Sequence, residues 1–224
     1  NTIKAVIRVL EEAGYRGKIK IAFDEWNLRG WHHPGFPRKA KSDPDDPEVN
    51  ALIEARRKND IASQYTMADA LFSASFLNAC LRHADDVGMA NIAPIVNTRG
   101  PLSVHDAGIV KRTTFHTLKL YANELAPLAC PLEIASGMLV HGERFIPLVD
   151  GIATTDKTCT RWVLALINRH PEKPVTCTVT LQGKTPDGIF DASVLKGDSP
   201  DAYNNKADPN RVVPETISLQ MKKG

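Results

Sequence analysis

Two regimes of hydrophobic periodicity divide the 224-residue chain and predict an α/β portion over residues 1–126, followed by an all-β, antiparallel sandwich over 127–224. In the first regime, stripes of period 3.6 alternate with short apolar runs. In the second, short alternating segments follow one another with turn residues between them and no helical stripe. A hydrophobic content of 42% is ample for packed cores at this length and excludes a chain disordered throughout.

The first stripe is Ile3, Val6, Ile7, Leu10 and Ala13, with Thr2 as its cap and Gly14 as its stop. The chain opens on Asn1-Thr2-Ile3, with no initiating Met and no charged-then-apolar targeting segment, so the reading is of a chain that starts inside a domain. Gly17 leads into a strand over 18–27, where alternation places Ile19, Ile21, Phe23 and Glu25 on one face and Asp24 and Trp26 on the other. Trp31, His32, His33, four prolines and the acidic run over 43–46 then make a long loop, of the kind that carries function or stays disordered.

A short helix is expected over 49–61. Thr66-Met67-Ala68-Asp69 has capping-box form, and Met67, Ala70, Leu71, Ala74, Leu77 and Leu81 mark a core-facing helix to about His83. A second strand follows over 88–97, ended or bulged at Pro94, which lacks a ladder donor. The spacing of Val110, Thr114, Leu118 and Tyr121 predicts a helix over 108–124, which completes two βα units. Past Pro127, strands are expected over 133–140, 144–149, 160–168, 174–181, 188–195 and 212–220.

Composition narrows the function. Twenty-eight Lys+Arg balance 26 Asp+Glu to a net charge of +2, with no basic block, which argues against nucleic acid as a partner. No apolar run approaches the roughly 18 residues of a membrane span. Cys80, Cys130, Cys159 and Cys177 form no C-x-x-C pair and read as four free, mostly buried thiols, which favours a cytoplasmic location. The histidines show no H-E-x-x-H spacing, the acidic run shows no calcium-loop register, and no Gly-rich cradle is present, so neither metal nor cofactor is assigned.

The most informative tetrapeptide is Asp24-Glu25-Trp26-Asn27: two carboxylates, a large aromatic and an amide at the carboxyl end of an apolar strand, the end at which parallel α/β barrels carry their chemistry. From the bare pattern, Glu25 serves equally as a loop cap or salt-bridge partner. Residues 21–27 resemble the nucleophile strand of the family 51 glycoside hydrolases, the α-L-arabinofuranosidases. Residues 65–71, 76–85 and 89–91 are similar to the next helix and last barrel strand of that family. Asp201-Ala202-Tyr203-Asn204-Asn205 and Pro209-Asn210-Arg211-Val212-Val213-Pro214 resemble the signature of its C-terminal sandwich.

The resemblance implies the C-terminal portion of a (β/α)₈ TIM barrel followed by a jelly-roll-like sandwich, and a retaining hydrolase that removes terminal α-L-arabinofuranosyl residues from plant polysaccharides and oligosaccharides. It implies Glu25 as the nucleophile. The acid/base glutamate, which the family carries on an earlier strand, has no counterpart here, so the chain alone is expected to be nearly inactive until a missing N-terminal barrel half completes it. Homo-oligomeric assembly is implied as well. Two departures concern the pocket. Leu28-Arg29-Gly30-Trp31-His32-His33 follows the motif where many members read Asn-x-Trp-Tyr, which makes Trp31 and His32 substrate-binding candidates. Pro94 stands where many members have a sugar-binding Gln, so that contact is lost or passes to another residue, for which Asn97 is the candidate. Two other readings stay open: a non-catalytic carbohydrate-binding or assembly module, and a retaining glycosidase for another sugar.

Overall fold

A computed structural model describes residues 2–27, 47, 50–51, 65–97, 99–181 and 186–221. Helix α1 (Thr2–Glu12) buries Ile3 and Ile7. Gly14, at a φ of 72°, turns the chain out of it, and the Tyr15 and Arg16 N–H groups both return to the Leu10 carbonyl. Glycine adopts that conformation without a Cβ penalty. Thr2 lies inside the helix rather than ahead of it.

Strand β1 (Ile21–Trp26) and β2 (Val87–Ile92) pair in parallel, with α2 (Met67–Leu81) in the crossover between them. The expected second strand is shorter than 88–97: it ends at Ile92, and a cis Ala93–Pro94 peptide follows. Ile3, Ile7 and Cys80 form the centre of a core to which Ile21, Phe23, Phe76, Val87 and Ala90 add. The helices therefore cover one face of the strand pair. Of the helix expected over 49–61, Asn50 and Ala51 are helical and the rest lies outside the described residues.

The capping box at α2 forms, with Asp69 Oδ2 accepting from the Thr66 N–H at 2.8 Å. The next two N–H groups of α2 are satisfied from far along the chain: Met67 N donates to Ala202 O at 2.9 Å and Ala68 N to Pro200 O at 3.0 Å.

The helix expected over 108–124 is instead a hairpin followed by a shorter helix. β3 (Leu102–His105) and β4 (Gly108–Lys111) pair antiparallel, and only α3 (Thr113–Glu124) is helical. Gly108, at a φ of 137°, closes the turn in a region that L residues rarely adopt. Val110 fits the helical spacing of its neighbours, yet it is a buried strand residue, because its inward direction satisfies both periods. Helix α3 lies along α2 in the same direction. The hydroxyls of Thr113, Thr117 and Tyr121 sit 2.7, 3.4 and 3.2 Å from the carbonyl oxygens of Thr66, Ala70 and Ala74, one contact per four residues on both helices.

Past Pro127 the strands are β5 (Leu128–Cys130), the hairpin β6 (Met138–His141) and β7 (Arg144–Pro147), β8 (Val149–Thr155), β9 (Trp162–Asn168), β10 (Gly188–Val194) and β11 (Glu215–Met221). All their pairings are antiparallel, in the sheets β5-β8-β9, β6-β7 and β10-β11. The fold is thus mixed α/β with antiparallel sheets in its second part. β8 is buried at every position but has no counterpart among the expected strands, since an acid, a glycine and two threonines hide its apolar character. Segment 174–181 alternates correctly for a strand, yet none forms along it among the described residues. Pro171 and Pro174 lead into it without backbone donors, and it lines a cavity of about 330 Å³ together with residues 132–137.

Among the described residues, the contacts that fasten the β part to the helices include two clusters, beside single bonds such as Arg161 to the Glu124 carbonyl at 2.9 Å. Asp150 of β8 is buried and accepts from Arg82 at 2.8 Å, Arg169 at 2.9 Å and Asn78 Nδ2 at 3.3 Å; Asn78 Oδ1 in turn accepts from the Tyr121 hydroxyl at 2.6 Å. The loop over 196–212 returns to the start of α2, where Ala202 and Val212 close a core with Met67 and Ala70. Asn204, almost fully buried, donates to Lys111 O and Val212 O at 2.8 and 2.9 Å and accepts from Val212 N at 2.8 Å. At Gly197 a Cβ would meet Met67 Cγ at 2.6 Å and Ala202 Cβ at 2.7 Å, so the loop fits there only with glycine. Core packing is thus what occupies the 201–205 motif.

The cysteines are free, but only Cys80 is buried; Cys130 is half-buried, and Cys159 and Cys177 are exposed. Cys159 sits at a hairpin tip with a φ of 56°, outside either core. Among the described residues, no helix is long and apolar enough to cross a membrane.

Candidate active site

The end of β1 departs from regular alternation. Phe23 pairs with Ala90 and Trp26 with Ile92, so three residues of β1 advance against two of β2. That extra residue is a bulge. Its consequence is that Phe23 and Trp26 both lie against Phe76 of α2, with ring centroids 5.2 and 4.5 Å away. Trp26 is 7% exposed. The expectation that Ile21, Phe23 and Glu25 share one face is therefore corrected: Ile21 and Phe23 face the helices with Trp26, and Glu25 lies within the bulge, exposed. Among the described residues, no hydrogen bond or ion pair engages its carboxylate. Bulges re-aim a side chain at functional positions, and this one separates Glu25 from the apolar row that precedes it.

The strand beyond Glu25 is fixed. Trp26 O accepts from Ala93 N at 3.2 Å, and Asn27 Nδ2 donates to Ala93 O at 3.2 Å and Arg99 O at 2.8 Å. The carboxyl end of β1 is thus tied to the turn that leaves β2. That turn is closed on itself: Asn97 N donates to Leu102 O at 2.7 Å and Leu102 N to Ile95 O at 3.2 Å. A Cβ on Gly100 would come within 2.3 Å of the Ile95 carbonyl, which dictates glycine.

Arg112 supports the turn from below. It is fully buried, donates from Nη1 to Gly100 O at 2.7 Å and Asn97 O at 3.4 Å, and places its guanidinium 5.7 Å from the centre of the Tyr65 ring. Burial lowers the Arg112 pKa and raises that of Tyr65 well above the ordinary phenol range. Sequence reasoning passes over Arg112, because no spacing rule marks an arginine between a hairpin and a helix for complete burial.

Of the expected site residues, Glu25 and Asn97 are both found next to this turn, one on the strand it ties and one within it. Asn97 has a φ of 56°, and its Oδ1 accepts from Val104 N at 2.7 Å. Its Nδ2 has no partner among the described residues. Trp31 and His32 lie outside the described residues, as do His33 and the acidic run over 43–46. Among the described residues, no three His, Cys, Asp or Glu side chains gather as a metal ion would require.

Asp24 and Glu25 are both exposed at this strand end, and an exposed carboxylate can attack a carbon or take a proton. The family supplies the context. The chain belongs to the α-L-arabinofuranosidase family: its residues 24–224 match the family described as "Alpha-L-arabinofuranosidase C-terminal domain". It is 27% identical over 223 residues to the intracellular exo-α-(1→5)-L-arabinofuranosidase of Streptomyces lividans, covering 96% of this chain and 32% of that one. It is 31% identical over 194 residues to α-L-arabinofuranosidase C of Emericella nidulans, covering 83% and 33%. The chain thus spans about a third of the length of the curated relatives it matches.

Among solved structures, the α-L-arabinofuranosidase of Thermotoga maritima, determined as an arabinose complex, superposes over 99% of this chain and 44% of its own, with a TM-score of 0.74 at 19% identity. The family 51 α-L-arabinofuranosidase of Bifidobacterium longum does so over 70% of this chain and 34% of its own, with a TM-score of 0.61 at 27% identity.

Proposed function

We propose that this chain is the C-terminal portion of a retaining α-L-arabinofuranosidase that removes terminal arabinofuranosyl groups from arabinose-containing plant oligosaccharides and polysaccharides, with Glu25 as its nucleophile. The observation that carries the reading is the exposed Glu25 at the end of β1, unengaged among the described residues, in a chain whose family match begins one residue earlier. In this reading residues 1–126 are the last part of a (β/α)₈ barrel and 127–224 its sandwich. The support is physical: a two-stranded parallel sheet covered on one face by helices is incomplete by itself, and further parallel strands would complete it.

Glu25 attacks the anomeric carbon to form a glycosyl-enzyme, and a second carboxyl group about 5–5.5 Å away protonates the leaving oxygen and then activates water. The missing part of the barrel supplies that group. Trp31, His32 and Asn97 contact the sugar, Asn97 through Nδ2 because its Oδ1 is committed to Val104. The partners are an arabinofuranosyl substrate and further copies of the enzyme; the intracellular relatives favour a cytoplasmic setting.

The test incubates the chain with 4-nitrophenyl α-L-arabinofuranoside, alone and co-expressed with an N-terminal barrel half from a family member. Nitrophenolate release by the pair, abolished by Glu25→Ala, is the expected result. No release from two folded halves overturns the assignment.

A further inference from the structure

We propose that Asn27 is a positioning residue for Glu25 and that Arg112 holds the turn against which Asn27 works. The kinetic part rests on the reading of Glu25 as nucleophile; the geometric part does not.

The bulge is the starting point. Between the pairs Phe23–Ala90 and Trp26–Ile92 the ladder is irregular, so Asp24 and Glu25 are not held by regular sheet hydrogen bonds. Whatever fixes Glu25 must act from the residues on either side. On the amino side, Phe23 packs on Phe76. On the carboxyl side the polar ties among the described residues include the Trp26 carbonyl to Ala93 N and the Asn27 amide, whose two protons go to Ala93 O and Arg99 O. Those carbonyls lie at the two ends of one turn, so Asn27 staples the turn shut as well as anchoring the strand.

The turn has the burden of staying in place, and Arg112 carries it. Nη1 reaches Gly100 O, next to the Arg99 carbonyl that Asn27 uses, and the Arg112 N–H donates to Pro101 O at 2.9 Å. Arg112 is itself framed by neighbours that cannot shift cheaply. Lys111 is pinned through its carbonyl by Asn204, and the Thr113 hydroxyl donates to Tyr65 O and Thr66 O at 2.9 and 2.7 Å. The carboxylate thus stands on a strand end whose geometry is set by Asn27, the turn and Arg112 in series. Asparagine suits position 27 because its amide can donate twice, whereas aspartate would set a carboxylate against two carbonyl oxygens and alanine would leave both without a donor.

Two measurements test this. In the 224-residue chain, Asn27→Ala and Arg112→Met are expected to speed amide exchange at Ala93, Asn97 and Gly100 about tenfold or more, while β9 stays protected. In the chain paired with the N-terminal half, Asn27→Ala is expected to lower kcat about 10- to 100-fold with KM within about twofold, as displacement of a reacting group does. Asn27→Asp is expected to fall at least as far, and Asn27→Gln to recover part of the rate. Asn123→Ala removes a similar amide-to-carbonyl bond from an exposed face of α3 and should change neither readout. Unchanged exchange at Ala93 and Gly100 overturns the clamp. Faster exchange with an unchanged kcat overturns the positioning role. If the wild-type pair releases no nitrophenolate, the nucleophile reading fails, and the exchange result still decides the clamp.

Discussion

Arg82, one residue past the end of α2, places its Nη1 2.8 Å from Oδ1 of Asp150 on β8, and the same carboxylate meets Arg169 from the end of β9. A buried acid between two arginines from different parts of the chain is a joint. Removing the acid would leave two guanidinium groups facing each other and Asn78 Nδ2 without its acceptor. Breaking a buried pair from one side costs about 3–5 kcal/mol. Arg82 is 41% and Arg169 23% exposed at the side chain, so solvent takes up part of that loss. Asp150→Ala is expected to lower the unfolding free energy by about 3 kcal/mol, read from the urea midpoint. Unchanged stability would mean that the joint holds nothing.

Asn204 predicts a second large effect. Its amide answers three backbone groups, and Asn204→Ala orphans the carbonyls of Lys111 and Val212 and the N–H of Val212 together. The expected loss is about 3 kcal/mol. Limited proteolysis should then cut within 196–212, because the same residue fastens that loop to the end of β4 at Lys111. Gly197→Ala should produce the same cleavage pattern by pushing the loop off Met67 and Ala202.

His116 gives the pH dependence. It is buried on α3, and desolvation, with Lys111 and Lys119 nearby, lowers its pKa below the usual 6.5. The unfolded chain therefore takes up this proton at a higher pH than the folded one. The resulting stability is fully present above the unfolded value and is lost as pH falls from there toward the lower folded value. A His116→Leu variant should show a flatter fall of the urea midpoint over that range. An identical slope in both proteins would show that His116 does not contribute to it.

The thiols should separate by accessibility. Cys159 and Cys177 are exposed, Cys130 is half-buried, and burial raises the Cys80 pKa, which disfavours its thiolate. Under native conditions iodoacetamide should label Cys159 and Cys177 first and Cys80 last, as peptide mapping would show. Early labelling of Cys80 would mean that the core around Ile3 and Ile7 opens readily.

Much of this architecture is legible in the sequence, and the failures have identifiable causes. The helix α2 and the capping box of Thr66 and Asp69 are local patterns and both form, although burial extends beyond the expected stripe to Ser73, Asn78 and Cys80 while Leu71, Leu77 and Leu81 are only half-buried. The β3–β4 hairpin escapes because Val110 satisfies two periodicities, and only the turn at Gly108 decides between them. Strand β8 escapes because what buries it is its neighbours, not its own composition. The reverse holds for 174–181, whose alternation is right but which finds no ladder. At the site, the motif points to Glu25, while alternation predicts the wrong face for it relative to Phe23. A bulge is set by the register with β2, which a single strand does not encode. Arg112 is silent for a similar reason, and Asn27 is marked by the motif but not its contacts, since the partners of both lie on a turn remote in sequence.

The three hydroxyl contacts between α2 and α3 act together as a vernier. Sliding α3 by one residue would move it about 1.5 Å and rotate it about 100°, which unseats all three at once. A slide of one full period, four residues, is the alternative that keeps hydroxyls opposite carbonyls, with Thr117 facing Thr66 and Tyr121 facing Ala70. That slip leaves the Asn78 oxygen without the long phenol that reaches it at 2.6 Å. Tyr121 therefore sets the phase of the helix pair. Because Asn78 also holds Asp150, a phase error in α3 would be felt at the junction with β8.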